Sequence, residues 1–336
     1  MTKKPSRFLK KVAKKIVKKF HPYCQKIPSL ALLINQYSDN SIGLVDRYKN
    51  SQGIKFKVYP HYLDFIRGNN IVRINRKHIV YGGDIVSSFD YYFSAVLPIY
   101  LSGFNLVDYS TPRYHDVVGY DRYPIFFPSF SEPLVTTNQY LSFANLKRDE
   151  IVIDLGAYSG MTSIMYKDIV GAGGTVVAVD ADDDNMIAIH KNLANYEKAT
   201  KSKIEILHAA AWNHNDGIEF STEGNMGSSA ASIAGNDRGL VKKVPSFTLS
   251  AIAQKFNLPR IDFIKCDIEG AEAVIFDDED FFRKFKPKII VETHVVNYEE
   301  TTNKVMSDLE KYGYKFKRVH QTGVTLPLIE CYPTQS

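Results

Sequence analysis

Short apolar runs alternate with helical stretches through the second half of the chain, and four of the five runs have an acidic residue at their last or second-last position. Strands that alternate with helices form a parallel sheet with helices on both faces. Their acidic residues then lie near the carboxyl ends of the strands, where open parallel sheets bind ligands. The pattern therefore predicts an α/β fold with a doubly wound, mostly parallel sheet. The five runs are Ile151–Leu155, Thr175–Asp180, Ile204–Leu207, Phe263–Asp267 and Lys288–Glu292.

The end of the chain departs from this alternation. Tyr314–His320 and Thr325–Tyr332 are two strand-like runs joined through Thr322–Gly323. Two such runs separated by a glycine-containing loop are typical of a β-hairpin. We expect an antiparallel hairpin at one edge of the sheet.

The first third of the chain has a different composition, with many tyrosines and short strand-like runs. The proline-rich stretch 124–133 is typical of an extended connector, because proline removes a backbone donor and disfavours helix before it. We predict a basic amphipathic arm at 1–26, a smaller α+β region at 27–130 and the doubly wound domain at 131–336. The tyrosines of this region favour a mixed core with amphipathic rings at its rim over a sugar-facing surface, and the role of residues 27–130 stays open.

The basic arm is the strongest charge feature. Residues 1–20 contain nine Lys and Arg residues and no acidic residue, and their apolar residues recur at helical spacing. We expect a helix on an anionic membrane surface, where each basic residue contributes roughly 1 kcal/mol. A solvated tail or a helix docked on the protein explains the same pattern, and nucleic acid is disfavoured because the rest of the chain is mildly acidic. The apolar residues are Phe8, Leu9, Val12, Ala13, Ile16, Val17 and Phe20.

Composition limits the remaining possibilities. Apolar content of 44% and a net charge of +5 exclude intrinsic disorder. No run of 18 apolar residues exists, so we expect no membrane-spanning segment. The three cysteines are too far apart to predict a disulfide framework or a thiolate metal site. We expect a cytoplasmic protein, held by its arm at the inner face of a membrane.

The turn after the first strand predicts a cofactor site. Gly156 and Gly160 let the backbone approach a ligand, and Asp180 is placed to accept hydrogen bonds from a ribose diol. The turn lacks one glycine of the dinucleotide pattern Gly-x-Gly-x-x-Gly. Asp154 would repel a pyrophosphate but attract a cationic ligand, which favours S-adenosylmethionine. The predicted cofactor-binding residues are Asp154, Gly156, Ala157, Tyr158, Gly160, Asp180, Ala181, Ala210 and Asp267.

These segments resemble the FkbM-type methyltransferases. The resemblance covers about residues 130–332 and is carried by Ile151–Gly160, Ala178–Asp180, Asp262–Glu272 and Pro287–His294. It implies a class I methyltransferase-like Rossmann fold, S-adenosylmethionine as cofactor, and methyl transfer to oxygen in glycan or antibiotic biosynthesis. The chain departs from the family at Asp180, where glutamate is more frequent, and at Ala181, where proline is frequent.

The candidate catalytic residues are Asp267, His294, Glu269 and Glu292. Asp267 is our first candidate for the general base, with His294 as the alternative because its ordinary pKa is about 6.5. Glu269 and Glu292 would orient these groups. Two structural roles compete with these: His294 bonded to a backbone carbonyl, and Glu269 as a helix N-cap. The four residues could also gather around magnesium or calcium, but their spacing does not require a metal and we predict none.

One further segment, Gly224–Ser232, is rich in small polar residues and is either a lid over the site or a surface connection.

From the cofactor turn, the candidate catalytic residues and the resemblance, we predict an S-adenosylmethionine-dependent O-methyltransferase acting on a sugar hydroxyl in a glycan or lipid-linked precursor. The alternatives are a nicotinamide-dependent oxidoreductase, or a non-catalytic, membrane-associated scaffold with a methyltransferase fold. The oligomeric state stays open.

Overall fold

The computed structural model describes residues 53–131, 134–222, 229–230, 240–296, 299–321 and 326–334. The predicted basic arm lies outside these residues, as does most of the predicted lid segment 224–232. The described residues divide into two compact units. The first comprises the described residues up to Phe89 together with Pro98–Ser110, and the second comprises Asp90–Leu97 and the described residues from Thr111 onward.

The first unit is a five-stranded sheet with short helices. Its strand order is β1-β2-β3-β5-β4, with β3 and β5 parallel and the other neighbours antiparallel. Alternate side chains of β3 are buried, at Val72 and Ile74, and the Arg73 guanidinium lies 2.7 Å from the buried Asp64 carboxylate of β2. The elements are β1 (Lys55–Val58), β2 (Tyr62–Arg67), β3 (Asn70–Asn75), a 3₁₀ helix (Arg76–Tyr81), α1 (Gly82–Ser87), β4 (Ile99–Leu101) and β5 (Phe104–Tyr109).

The second unit begins with a helix and a small hairpin that precede the main sheet. The predicted boundary near residue 130 falls inside this unit, because the hairpin is fixed to a later helix by Asn192. That side chain accepts from the Phe126 amide at 2.8 Å and donates to the Phe126 carbonyl at 2.8 Å. These bonds connect residues 66 positions apart, and no local pattern reveals them. The elements are α2 (Tyr91–Ala95), β6 (Arg113–His115), β7 (Ile125–Phe127) and α3 (Leu134–Ala144).

The main sheet has seven strands in the order β10-β9-β8-β16-β17-β21-β20. The first five are parallel, and β21 and β20 form an antiparallel hairpin at the edge beside β17. Helices connect the parallel strands, and β-branched residues fill the buried strands. The strands of this sheet are β8 (Ile151–Leu155), β9 (Thr175–Asp180), β10 (Glu205–His208), β16 (Phe263–Cys266), β17 (Lys288–Glu292), β20 (Tyr314–Val319) and β21 (Leu328–Pro333).

Some of the helices begin at residues whose side chains cap them. The Asp182 side chain accepts from the amides of Asp184 and Asn185, and the Thr248 hydroxyl accepts from the Ala251 amide. The helices of this part of the chain are α4 (Met161–Val170), α5 (Asp183–Thr200), α6 (Leu249–Lys255), α7 (Glu272–Ile275), α8 (Glu279–Lys284) and α9 (Thr302–Glu310). The shorter strands are β11 (Ala210–Ala211), β12 (Ile218–Thr222), β13 (Ser229–Ala230), β14 (Leu240–Val244), β15 (Ser246–Phe247), β18 (Val295–Val296) and β19 (Glu299–Glu300).

One core lies between the sheet and the helices of one face, and it includes residues of β8, β16, β17, α6, α8 and α9. Burial of these side chains holds the strand ends in fixed positions, so the residues that follow each strand are presented from a rigid frame. None of the described helices is long and apolar enough to cross a bilayer.

Candidate active site

The turn after β8 is built on Gly156, which packs directly against the end of β16. Its φ of +77° is in the left-handed region, and a Cβ at this position would lie 1.7 Å from the Asp267 carbonyl oxygen. The amides of Gly156 and Ala157 both donate to the Val179 carbonyl, at 2.9 and 3.0 Å. Only glycine satisfies both the conformation and the close approach. The turn therefore brings the ends of β8, β9 and β16 together.

Asp180 at the end of β9 faces this turn. Its carboxylate accepts from the Tyr158 amide at 2.9 Å and from the Asp182 amide at 2.9 Å. Burial raises the pKa of Asp180 to about 7, although these backbone donors act in the opposite direction. The carboxylate keeps lone pairs for further donors, and its ribose-binding role stays a prediction.

Asn185 also contributes to this part of the site, and our sequence analysis did not single it out. Its amide nitrogen donates to the Asp180 carboxylate at 3.2 Å. Its oxygen is buried and has no hydrogen-bond partner among the described residues. The sequence feature that could have predicted Asn185 is its position in the first turn of α5, five residues after Asp180 at the end of β9. Asn185 orients Asp180 and offers an acceptor to a ligand.

The remaining predicted cofactor residues are near this turn but act in different ways. Gly160 has a φ of +79° and precedes α4 without a capping side chain. Ala181 and Ala210 lie in one small apolar cluster with Phe220 and Val244. The side chain of Tyr158 is directed elsewhere, because its hydroxyl donates to the Phe130 carbonyl at 2.6 Å. Tyr158 therefore contributes its backbone amide rather than its ring.

Asp154 is placed differently from our expectation of a ligand-facing charge. It is fully buried, the Ser163 hydroxyl donates to it at 2.5 Å, and the Lys265 ammonium lies 3.5 Å away. Burial raises the pKa of Asp154, and Lys265 opposes that rise. The argument that Asp154 selects a cationic ligand is corrected, because Lys265 compensates its charge beneath the turn.

Lys265 itself was missed. It is buried in β16, donates to the Gly156 carbonyl at 2.6 Å and lies 3.5 Å from the Asp267 carboxylate. Strand alternation places residues two apart on one face, so Lys265 and Asp267 could have been paired from their spacing. Lys265 thus connects the glycine turn, the buried Asp154 and Asp267.

The candidate catalytic residues form one cluster at the carboxyl ends of β16 and β17. The Nε2 atom of His294 lies 3.7 Å from Oδ1 of Asp267 and 3.7 Å from Oε2 of Glu269. Their side chains are 19%, 29% and 30% exposed, so the cluster is open to a ligand. The Tyr140 hydroxyl donates to Glu292 at 2.6 Å. All four predicted catalytic residues are therefore neighbours.

Glu272 and Thr301 support this cluster from behind, and neither was predicted as a site residue. Glu272 is fully buried, lies 3.1 Å from Nδ1 of His294 and accepts from the Thr301 hydroxyl at 2.7 Å. Its other oxygen accepts from the Gly270 amide at 2.8 Å. Glu272, not Glu269, therefore binds the backbone at the start of α7. The N-cap role considered for Glu269 is wrong because that helix begins at Glu272.

The cluster shifts the protonation of its members. Burial lowers the pKa of His294, but Glu269 and Glu272 outweigh burial and hold that pKa well above its ordinary value. Burial raises the pKa of Glu269 to about 8, with Asp267 adding to the rise. Burial and Asp267 also raise the pKa of Glu292. The raised pKa of His294 makes this residue a poorer proton acceptor, which disfavours it as the general base and leaves Asp267.

Comparisons with known proteins place part of the chain among the methyltransferases. Residues 154–316 match the family model described as the methyltransferase FkbM domain. None of the curated protein sequences matches the chain.

Solved structures similar to the chain include a methyltransferase FkbM from Methylobacillus flagellatus KT, at 17% identity and a TM-score of 0.39. The match covers 58% of this chain and 50% of that protein. The precorrin-6Y C5,15-methyltransferase of Geobacter metallireducens GS-15 is 16% identical, with a TM-score of 0.36, over 59% of this chain and 87% of that one. Because both TM-scores are below 0.5, the family assignment rests on the sequence model. Residues 154–316 match the FkbM methyltransferase domain, and the chain is an S-adenosylmethionine-dependent methyltransferase.

Proposed function

We propose that the chain transfers the methyl group of S-adenosylmethionine to a hydroxyl oxygen of a sugar, in a glycan or a lipid-linked precursor. The observation that carries this proposal is the partly exposed cluster of Asp267, Glu269, Glu292 and His294 beside the glycine turn. Carboxylates accept hydrogen bonds from hydroxyl groups, and a polyol acceptor offers several of them.

The residues present fit the cofactor. The turn at Gly156 leaves no room for a side chain, so the backbone can approach a ligand closely. Asp180 offers its carboxylate to a ribose diol, and Asn185 offers a buried oxygen that has no hydrogen-bond partner in the described part of the chain. When bound, the cofactor supplies a methyl group already activated by its sulfonium.

For this reaction the protein must align the acceptor oxygen with the methyl group and remove the hydroxyl proton. The acceptor oxygen forms a bond to the methyl carbon as the carbon–sulfur bond breaks, giving a methyl ether and S-adenosylhomocysteine. We assign Asp267 to receive the hydroxyl proton, because it is partly exposed and its backbone contacts the turn at Gly156. The Lys265 ammonium near Oδ2 leaves Oδ1 facing the open cluster.

The protonation of the other residues supports a hydroxyl-rich acceptor. His294, whose pKa is held above its ordinary value, donates hydrogen bonds, whereas the carboxylate oxygens of Asp267 accept them. A sugar hydroxyl both donates and accepts. Neighbouring donors and acceptors therefore suit vicinal hydroxyl groups better than a purely anionic or cationic acceptor.

The oxidoreductase and the inactive scaffold are not retained, because the matched family is a methyltransferase family. The acceptor class is tested by incubating the full chain with ¹³C-methyl S-adenosylmethionine and separate glycan, lipid, protein and nucleic-acid fractions of a lysate. After acid hydrolysis, mass spectrometry should find the label in an O-methyl monosaccharide. Label confined to protein, nucleic acid or an amine would contradict the proposal.

We also propose that the basic arm holds the enzyme at an anionic membrane, where lipid-linked precursors occur. The support is the charge and periodicity of residues 1–20. The full chain should float with vesicles containing anionic lipid, and replacing Lys10, Lys11, Lys14 and Lys15 with Glu should abolish flotation. Neutral vesicles are the control. Equal flotation of both proteins with anionic vesicles would contradict the proposal.

A further inference from the structure

We propose that Asp267, Glu292 and His294 bind one divalent transition-metal ion of the Mn²⁺ type. One potential ligand atom from each residue lies within 4.8 Å of the other two. Two ligands about 2.1 Å from one ion are roughly 3.0–3.4 Å apart at octahedral or tetrahedral angles. The 3.7 Å between Nε2 of His294 and Oδ1 of Asp267 is only slightly longer. A small contraction would close the cluster around an ion.

The orientation of His294 is that of a metal ligand. The fully buried carboxylate of Glu272 lies 3.1 Å from Nδ1, so Nδ1 is assigned as the donor to Glu272. Nε2 is thereby directed toward Asp267 and Glu269. Histidines that ligate metals almost always donate their other ring N–H to such a partner.

The two carboxylates are also held from outside the cluster. The Tyr140 hydroxyl donates to Oε2 of Glu292 at 2.6 Å, and the Lys265 ammonium lies 3.5 Å from Oδ2 of Asp267. Oδ1 of Asp267 remains toward His294. Each of the three residues therefore has a partner that fixes its orientation, and each keeps a ligand atom that can bind a shared ion.

The charges of the cluster favour a divalent cation. Asp267, Glu269, Glu272 and Glu292 supply four carboxylates, and within the described part of the chain their ion pairs come only from Lys265 and His294. A mixed set of one imidazole and two carboxylates suits Mn²⁺ or Zn²⁺ better than Mg²⁺ or Ca²⁺, which prefer oxygen ligands.

An ion at this position would lie beside the glycine turn. While Oδ1 of Asp267 ligates the ion, the ion would also bind the acceptor hydroxyl and ease loss of its proton to solvent. This role rests on the proposed function, whereas ion binding itself does not.

The test uses the full chain, treated with chelator, dialysed and titrated with Mn²⁺ alone while electron paramagnetic resonance measures free Mn²⁺. We expect one ion per chain, and at least about tenfold weaker binding by Asp267→Asn and His294→Gln. Glu292→Gln is a third variant that can keep the Tyr140 hydrogen bond. The matched control is His208→Gln, which removes an exposed histidine 3.3 Å from Asp183 and should leave binding unchanged. Circular dichroism identifies the variants that fold.

Absence of Mn²⁺ binding by the wild-type chain, or binding that none of the folded site variants weakens, overturns the inference. The ¹³C-methyl experiment on the same preparation separates the two proposals. Methylation of a sugar without Mn²⁺ binding removes the metal site and leaves the proposed function. If the site variants weaken Mn²⁺ binding but the label appears only on acceptors other than sugars, the metal site is supported and the proposed function is overturned.

Discussion

At the scale of single residues, Gly156 and Asp180 leave the site least freedom. Gly156 allows the turn after β8 to touch the end of β16, and Asp180 is held by amides from two sides. Both residues are required by the backbone geometry around them, and not only because they are small or acidic. Substitutions at these positions should therefore have larger effects than the same substitutions elsewhere.

Gly156→Ala should destabilise the fold and weaken cofactor binding. The new Cβ would overlap the Asp267 carbonyl, and the left-handed backbone adds strain. Gly119→Ala is the matched control, because Gly119 has a φ of +83° but no atom within 4 Å of an added Cβ. Urea unfolding should show Gly156→Ala to be less stable than Gly119→Ala by about 2 kcal/mol. Equal stability of the two variants would exclude the proposed close contact.

Binding of the adenosyl group should depend on the ionisation of Asp180. With its pKa near 7, Asp180 becomes a stronger hydrogen-bond acceptor as the pH rises through neutrality. The affinity for 5′-methylthioadenosine, which carries the ribose without the amino acid or sulfonium, should therefore increase between about pH 6 and 8. Calorimetry with Asp180→Asn should give weaker binding with a flat pH profile. An unchanged slope in that variant would refute the role.

The same group should affect stability in the opposite direction. Because folding raises its pKa from 3.8 to about 7, Asp180 favours the folded state most at pH below about 4. That contribution is lost as the pH rises through about 7. Without ligand, the unfolding free energy of the wild type should fall more over this range than that of Asp180→Asn. Parallel profiles from urea titrations would show that the shift in pKa is absent.

At the scale of elements, residues 111–131 belong with the methyltransferase domain because of a few specific bonds. Asn192 of α5 is fully buried and binds both backbone groups of Phe126 in β7, and it also donates to the Ser159 carbonyl at 2.9 Å. A single side chain thus joins the hairpin to the helix beside the glycine turn.

Asn192→Ala should leave buried backbone groups without partners and lower the unfolding free energy by about 2–4 kcal/mol. The matched control is Asn215→Ala, which removes an exposed side-chain bond to the Thr248 amide. Hydrogen exchange should show faster exchange at Phe126 in the first variant only. Unchanged protection of that amide would mean that Asn192 does not hold the hairpin.

At the scale of the whole molecule, the sequence predicts the sheet and the position of the site. It predicts less well the hydrogen bonds and ion pairs between residues that are far apart in the chain. The strands of the parallel sheet were evident because each is a short β-branched run between helices, and their ends gather Asp267, Glu292 and His294 as expected. Glu272 and Lys265 were missed because their roles depend on burial and on partners from other elements. The predicted boundary at residue 130 lies within the second unit, where Asn192 binds the hairpin over a long sequence separation.

The central claim is that Asp267 receives the proton of the hydroxyl group to which the methyl group of S-adenosylmethionine is transferred. The most direct measurement compares the rate of ¹³C-methyl transfer by wild type and Asp267→Asn, with cofactor affinity measured on both by calorimetry. We predict a rate lower by about 10²–10⁴-fold in the variant, with a much smaller change in cofactor affinity. A variant that transfers methyl groups at the wild-type rate would contradict the account.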